Sequence, residues 1–166
     1  MLKNKKGFSL VELMVAVTIT GILLIAAGII HVTSARLWIK GNDKVLLQAE
    51  SSYMLTVLTT AVREATEGAR ILEGGQKLEL ERKDKNGNLE WTKVFYKEGN
   101  NLSYMVNDGA ANILISGILH SLAFTFPEKD ASGADIPGVI RMEMVLQKKG
   151  ESFAVQKTID MRNFRL

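Results

Sequence analysis

The 166-residue chain contains no cysteine. Disulfide scaffolds, thiolate metal sites and cysteine nucleophiles are therefore excluded. Histidine is nearly absent: with only His31 and His120, a metal site rich in histidine would need carboxylates as well. Two prolines and no glycine period exclude a collagen-like chain. The sequence holds no G-x-S-x-G, no H-E-x-x-H and no phosphate-binding glycine loop, so catalysis has no recognisable foothold. Charge of one sign is also scarce. Lys and Arg number 21 against 18 Asp and Glu, and Lys3, Lys5 and Lys6 account for the whole excess. Residues 8–166 are formally neutral, so a calculated pI of about 9.1 is no argument for nucleic-acid binding. At 46% apolar and 23% charged, the composition is that of a folded chain of about one domain.

One feature is present in excess. From Leu13 to Ala35 there are 23 consecutive residues with no formal charge, His31 taken as neutral. About 20 apolar residues carry a helix across a bilayer. The lysines directly before the run place the N-terminus in the cytoplasm by the positive-inside rule, and the rest of the chain outside it. Glu12 is out of keeping with a plain anchor. It lies one helical turn after Phe8, at the edge of the run, with no basic residue inside the span to meet it. A simple anchor would let Glu12 reach the headgroups. A cleavable signal peptide is the other plain reading, with Thr33-Ser34-Ala35 as a small-residue cleavage site. Against it, the run is long for such a peptide, and Glu12 interrupts what should be purely apolar.

The segment Lys5-Lys6-Gly7-Phe8-Ser9-Leu10-Val11-Glu12-Leu13 resembles the class III leader junction of type IV pilins and type II secretion pseudopilins. The resemblance covers about the first 35 residues. It implies that Gly7 ends the leader, that prepilin peptidase cuts between Gly7 and Phe8, and that the new Phe8 amine is N-methylated. It implies further that Glu12 pairs with the Phe8 amine of a neighbouring subunit and sets register in a filament. The physics agrees: cleavage creates a cation beside an apolar layer, and an acid one turn away is its natural counter-charge. Many major pilins carry a proline within this helix, where the present chain has Ile29 between Gly28 and Ile30. That departure leans toward a minor pilin or pseudopilin. Arg162-Asn163 resembles, over a few residues, the ending of the J-type minor pseudopilin.

Beyond the run, Leu47, Met54, Leu58, Ala61 and Ala65 recur at helical spacing, and Tyr53 to Leu58 reads as core. Helix is expected as far as Leu72. Gly41-Asn42-Asp43 is expected to end or kink it, with Asn42 or Asp43 as an N-cap. From Gln76 the period becomes two. Six strands are expected, around Leu78–Arg82, Leu89–Lys97, Leu102–Val106, Leu119–Phe126, Ile140–Leu146 and Phe153–Met161, joined in hairpins. The expected fold is α+β: a long N-terminal helix on one face of a C-terminal antiparallel sheet. The organisation reads as a leader at 1–7, a transmembrane or filament-core helix at 8–35, an amphipathic helical region at 36–75 and a sheet domain at 76–166.

Two further patterns look like ligand sites at first sight. Asp84, Asn86, Asn88 and Glu90 alternate like the start of a calcium loop, but the glycine falls at Gly87 rather than at the sixth position, and the twelfth is Phe95 rather than a bidentate acid. An Asn-Gly hairpin explains the same residues. The loop with Asp130 and Asp135 is a second, equally thin calcium candidate. Trp91, Lys93, Phe95 and Lys97 share a strand face, as a nucleic-acid surface would need, but Glu90 and Glu98 offset the charge.

The expected function is that of a non-enzymatic structural subunit of a type IV pilus or type II pseudopilus, in a minor role. No metal, cofactor or nucleic acid is expected. The partners implied by the resemblance are prepilin peptidase, other pilin or pseudopilin subunits, the inner-membrane assembly platform and the membrane. The location implied is a single pass of the inner membrane, then the filament. Alternatives are a major pilin, a competence pseudopilin for DNA uptake, and a membrane-anchored binding module that never polymerises.

Overall fold

The computed structural model describes residues 9–129, 133, 135–136 and 138–162. Lys3, Lys5, Lys6, Gly7, Phe8, Asp130 and Asn163 lie outside the described residues. The chain forms two compact units, Met1–Asn42 and Asp43–Leu166. One long helix, α1 (Leu10–Glu64), supplies both, followed by eight strands among the described residues.

In the first unit α1 carries apolar side chains all round, and those from Leu10 to Ile39 are exposed. A helix apolar on every side belongs in lipid or among other helices. Thr18 and Thr20 are compatible with such surroundings because their hydroxyls donate to the Met14 and Ala16 carbonyls, at 2.8 and 2.7 Å.

In the second unit α1 is one-sided. Leu47, Met54, Leu58, Ala61 and Val62 are buried, and Ala65 follows them into the core, so the helical spacing is borne out. Two expectations here need correction. Tyr53 is 56% exposed, since it falls on the side of the helix away from the sheets. Gly41-Asn42-Asp43 neither ends nor caps the helix; α1 passes through it. Asp43, 6% exposed, instead meets Lys148 at 3.4 Å. A carboxylate removed from water needs such a partner.

The helix stops at Glu64, short of Leu72. The Thr66 and Glu67 N–H groups both donate to the Glu81 carbonyl, and the Thr66 hydroxyl accepts from the Lys83 N–H at 2.8 Å. Backbone donors that find a strand cannot continue a helical ladder.

The strands form two antiparallel sheets where one was expected. The first is a five-stranded meander of β1 (Arg70–Leu72), β2 (Lys77–Lys83), β3 (Leu89–Glu98), β4 (Asn101–Val106) and β5 (Asn112–Ile115). The second is β6 (Leu119–Thr125), β7 (Val139–Lys148) and β8 (Glu151–Asp160). Six of the eight strands are the expected ones. The additional β1 has three residues, too few for a period to show. β5 hides its alternation in a bulge: Ile113 faces Ser103 and Ile115 faces Leu102, so Leu114 is extra, and Leu114 and Ile115 are both buried. The clean alternation of Ile140, Met142, Met144 and Leu146 puts all four in the core, beside Phe95, Phe124, Leu78 and Leu80.

Candidate functional site

The start of α1 is built from Ser9 and Glu12. Ser9 precedes the helix, and its hydroxyl accepts from the Glu12 N–H at 3.2 Å. The Glu12 carboxylate accepts in return from the Ser9 N–H at 3.0 Å. The Leu13 N–H donates to the Ser9 carbonyl at 3.2 Å, closing the first turn. This reciprocal pair is a capping box, which satisfies two of the N–H groups that a helix start leaves without partners. Glu12 also sits where the positive end of the helix dipole favours an anion. Ser9 is the one residue of this site that the sequence patterns above do not single out. Its signal is nevertheless there, as Ser-x-x-Glu directly before the apolar run.

Glu12 is surrounded on the helix by exposed Leu10, Val11, Leu13 and Met14. α1 is long and apolar enough to cross a membrane. The two observations describe a carboxylate held at the mouth of an apolar helix, in an orientation set by its own backbone. Such a group can cap the helix, and one oxygen can also receive a cation brought to it by another chain. The expected cleavage and methylation residues, Gly7 and Phe8, and the leader lysines precede Ser9 and lie outside the described residues. His31 is exposed on the same helix, and His120 is exposed on β6.

The other candidates resolve into folded structure. Asp84 accepts from the Asn86 N–H at 2.7 Å, the Asn88 N–H at 2.8 Å and the Asn88 side-chain amide at 3.1 Å. Its oxygens organise the β2–β3 hairpin, where Gly87 takes a φ of 83° that suits glycine. Among the described residues no group of three His, Asp or Glu is placed to hold a metal ion. Asp135 pairs with Lys129 at 3.6 Å. Of the strand-face set, Phe95 is buried and stacked on Tyr104, while Lys93 lies 4.2 Å over the Trp91 ring and 3.2 Å from Glu64. That face is turned into the fold, since Trp91 packs against the core.

The Asp84 hairpin makes a prediction about pH. The Asn88 side-chain amide first, then the backbone N–H groups of Asn88 and Asn86, hold its carboxyl below the ordinary carboxylate range. A lowered folded-state value stabilises the turn fully above the ordinary pKa of about 3.9 and is lost as pH falls through the lower, folded value. The Asn86 and Asn88 amide resonances should therefore shift with a midpoint below about 3.9, and Asp84→Asn should remove that inflection. A midpoint at or above it would show the turn to be open.

No curated protein and no solved structure matches the chain. Residues 2–28 match the family model for the prokaryotic N-terminal methylation motif, a segment that takes in Gly7, Phe8 and the Ser9–Glu12 box. With that motif, a long apolar helix and antiparallel sheets behind it, the chain carries a prepilin-type leader on a pilin-like α+β architecture, in keeping with the type IV pilin and pseudopilin family.

Proposed function

We propose that this chain is a non-enzymatic subunit of a type IV pilus or type II secretion pseudopilus, in a minor role at initiation, at the tip or in joining. In this reading it is inserted with its N-terminus in the cytoplasm and its sheets outside. Prepilin peptidase removes the leader between Gly7 and Phe8 and methylates the Phe8 amine. The assembly platform then draws the helix out of the inner membrane into a filament of pilin or pseudopilin subunits. The observation that carries the reading is the methylation motif at residues 2–28, which takes in the start of a helix whose apolar side chains are exposed from Leu10 to Ile39.

Glu12 has a specific part in it. Cleavage leaves a cationic amine two residues before α1 begins. A positive charge at that end opposes the helix dipole. The carboxylate of a neighbour, presented at the same end of the same kind of helix, compensates it and selects one axial register. The minor role is supported by Ile29 in place of a helix-bending proline and by the short Arg162-Asn163 resemblance.

The processing step is tested by intact mass and N-terminal sequencing of membrane-extracted protein, with and without the peptidase. The expected product begins at Phe8, carries one added methyl group and appears only with the peptidase. An unprocessed Met1 in its presence, or a start at Arg36, would overturn the filament reading. One observation favours a second reading. The capping box gives Glu12 a partner within its own chain, so a membrane-anchored binding module that never polymerises would also keep it.

A further inference from the structure

Arg36, Trp38 and Lys40 follow immediately on the uncharged run Leu13–Ala35. Trp38 is 74% exposed on α1. An indole left in water gains nothing from its apolar body, whereas at a membrane–water boundary both the ring and its N–H donor are accommodated. Helix geometry arranges the three residues around one level. Arg36 and Lys40, four apart, share a side. Trp38, about 200° away from each at about 100° per residue, takes the opposite side. Arginine and lysine stems lie along apolar surface while their charged ends reach outward.

The level agrees with the dimensions of a bilayer. The uncharged run spans about 35 Å at about 1.5 Å per residue, against about 30 Å of hydrocarbon. Glu12 to Trp38 spans about 39 Å, against about 40–45 Å with both headgroup layers. A helix with Glu12 in one headgroup layer therefore sets Trp38 in the other.

We propose that Arg36, Trp38 and Lys40 form an interfacial anchor for phospholipid headgroups at the far side of the membrane, favouring anionic ones, and fix the depth of the subunit before assembly. The proposal rests on the membrane-spanning reading above. The anchor grips the helix on both sides, so it holds depth without dictating rotation. That property suits a subunit that must later leave the bilayer for a filament.

The test uses the full chain with Trp91→Phe, which leaves Trp38 as the one indole, in vesicles of phosphatidylcholine and phosphatidylglycerol. Lipids brominated near the headgroup end of the acyl chain should quench Trp38 about twofold or more beyond lipids brominated near the chain end. Arg36→Ala with Lys40→Ala should reduce the gain from adding phosphatidylglycerol, the remainder belonging to Lys3, Lys5 and Lys6, and an undiminished gain would remove the two cations from the anchor. If Trp91→Phe disturbs folding, the same quenching is read as the difference between the unaltered chain and Trp38→Phe. Equal or stronger quenching by deep bromines, or none in vesicles that float with the protein, would overturn the anchor and leave the membrane reading standing. Failure of the protein to float with vesicles would overturn both.

Discussion

Glu12→Gln is expected to reduce incorporation into filaments by about tenfold or more, as is Glu12→Ala, while the amount of processed protein in the membrane stays the same. The glutamine variant is the informative one. Glutamine serves as well as glutamate in a capping box, so the Ser9 N–H keeps its acceptor and the helix start is retained. Only the charge is lost. An amine and a carboxylate about 4 Å apart at the edge of a low-dielectric layer attract by roughly 4 kcal/mol. A third of that, about 1.4 kcal/mol, is already tenfold in an equilibrium. Ser9→Ala supplies the converse: it removes the cap, at about 1 kcal/mol, and keeps the charge, so incorporation should stay close to normal once processing at Gly7–Phe8 is verified. The ratio of sheared filament to membrane fraction, by quantitative immunoblot, measures both. Normal incorporation of Glu12→Gln, with loss for Ser9→Ala, would assign Glu12 to helix capping and take the register role from its charge.

The second large effect concerns the fold behind the helix. Leu58→Ala should destabilise the folded unit by about 2–5 kcal/mol, whereas Tyr53→Ala, little more than one turn away on the same helix, should change it by no more than about 0.5 kcal/mol. Leu58 is wholly buried and belongs to a core cluster that takes in residues of both sheets. Its truncation loses apolar burial and leaves a cavity bounded by strands held in register by their ladders. Tyr53 faces outward, so its truncation opens no cavity. Since a domain's total stability is about 5–15 kcal/mol, the Leu58 variant should unfold at markedly lower denaturant. Urea titration of the full chain carrying Trp38→Phe, in detergent and followed by the emission of Trp91, reads the difference. Equal midpoints for the two variants would mean that the sheets do not pack on this face of α1.

Glu12 is legible in the amino-acid sequence, because a lone acid at the edge of a charge-free run stands out in one dimension. So is the inner stripe of α1, whose spacing from Leu47 to Ala65 repeats over many turns. The four alternating residues of β7 are equally clear. Ser9 is legible too, through the Ser-x-x-Glu spacing, but the longer apolar run that follows is the stronger signal and masks it.

Other features are not legible in that way. β1 is too short to display a period, and the bulge at Leu114 breaks the one that β5 would have shown. The end of α1 depends on the Glu81 carbonyl and the Lys83 N–H, both distant along the chain from Thr66. Asp43 looks like a helix cap because its nearest neighbours are Gly41 and Asn42, yet its partner, Lys148, is on β7. Local order in the chain therefore set the membrane-length helix, its charged mouth, the leader motif and the repeating core faces, since each depends on residues within a few turns or one strand. The division into two sheets, the place where α1 stops and the burial of Asp43 were decided by tertiary structure, since each rests on hydrogen bonds or ion pairs between residues that only the folded chain brings together.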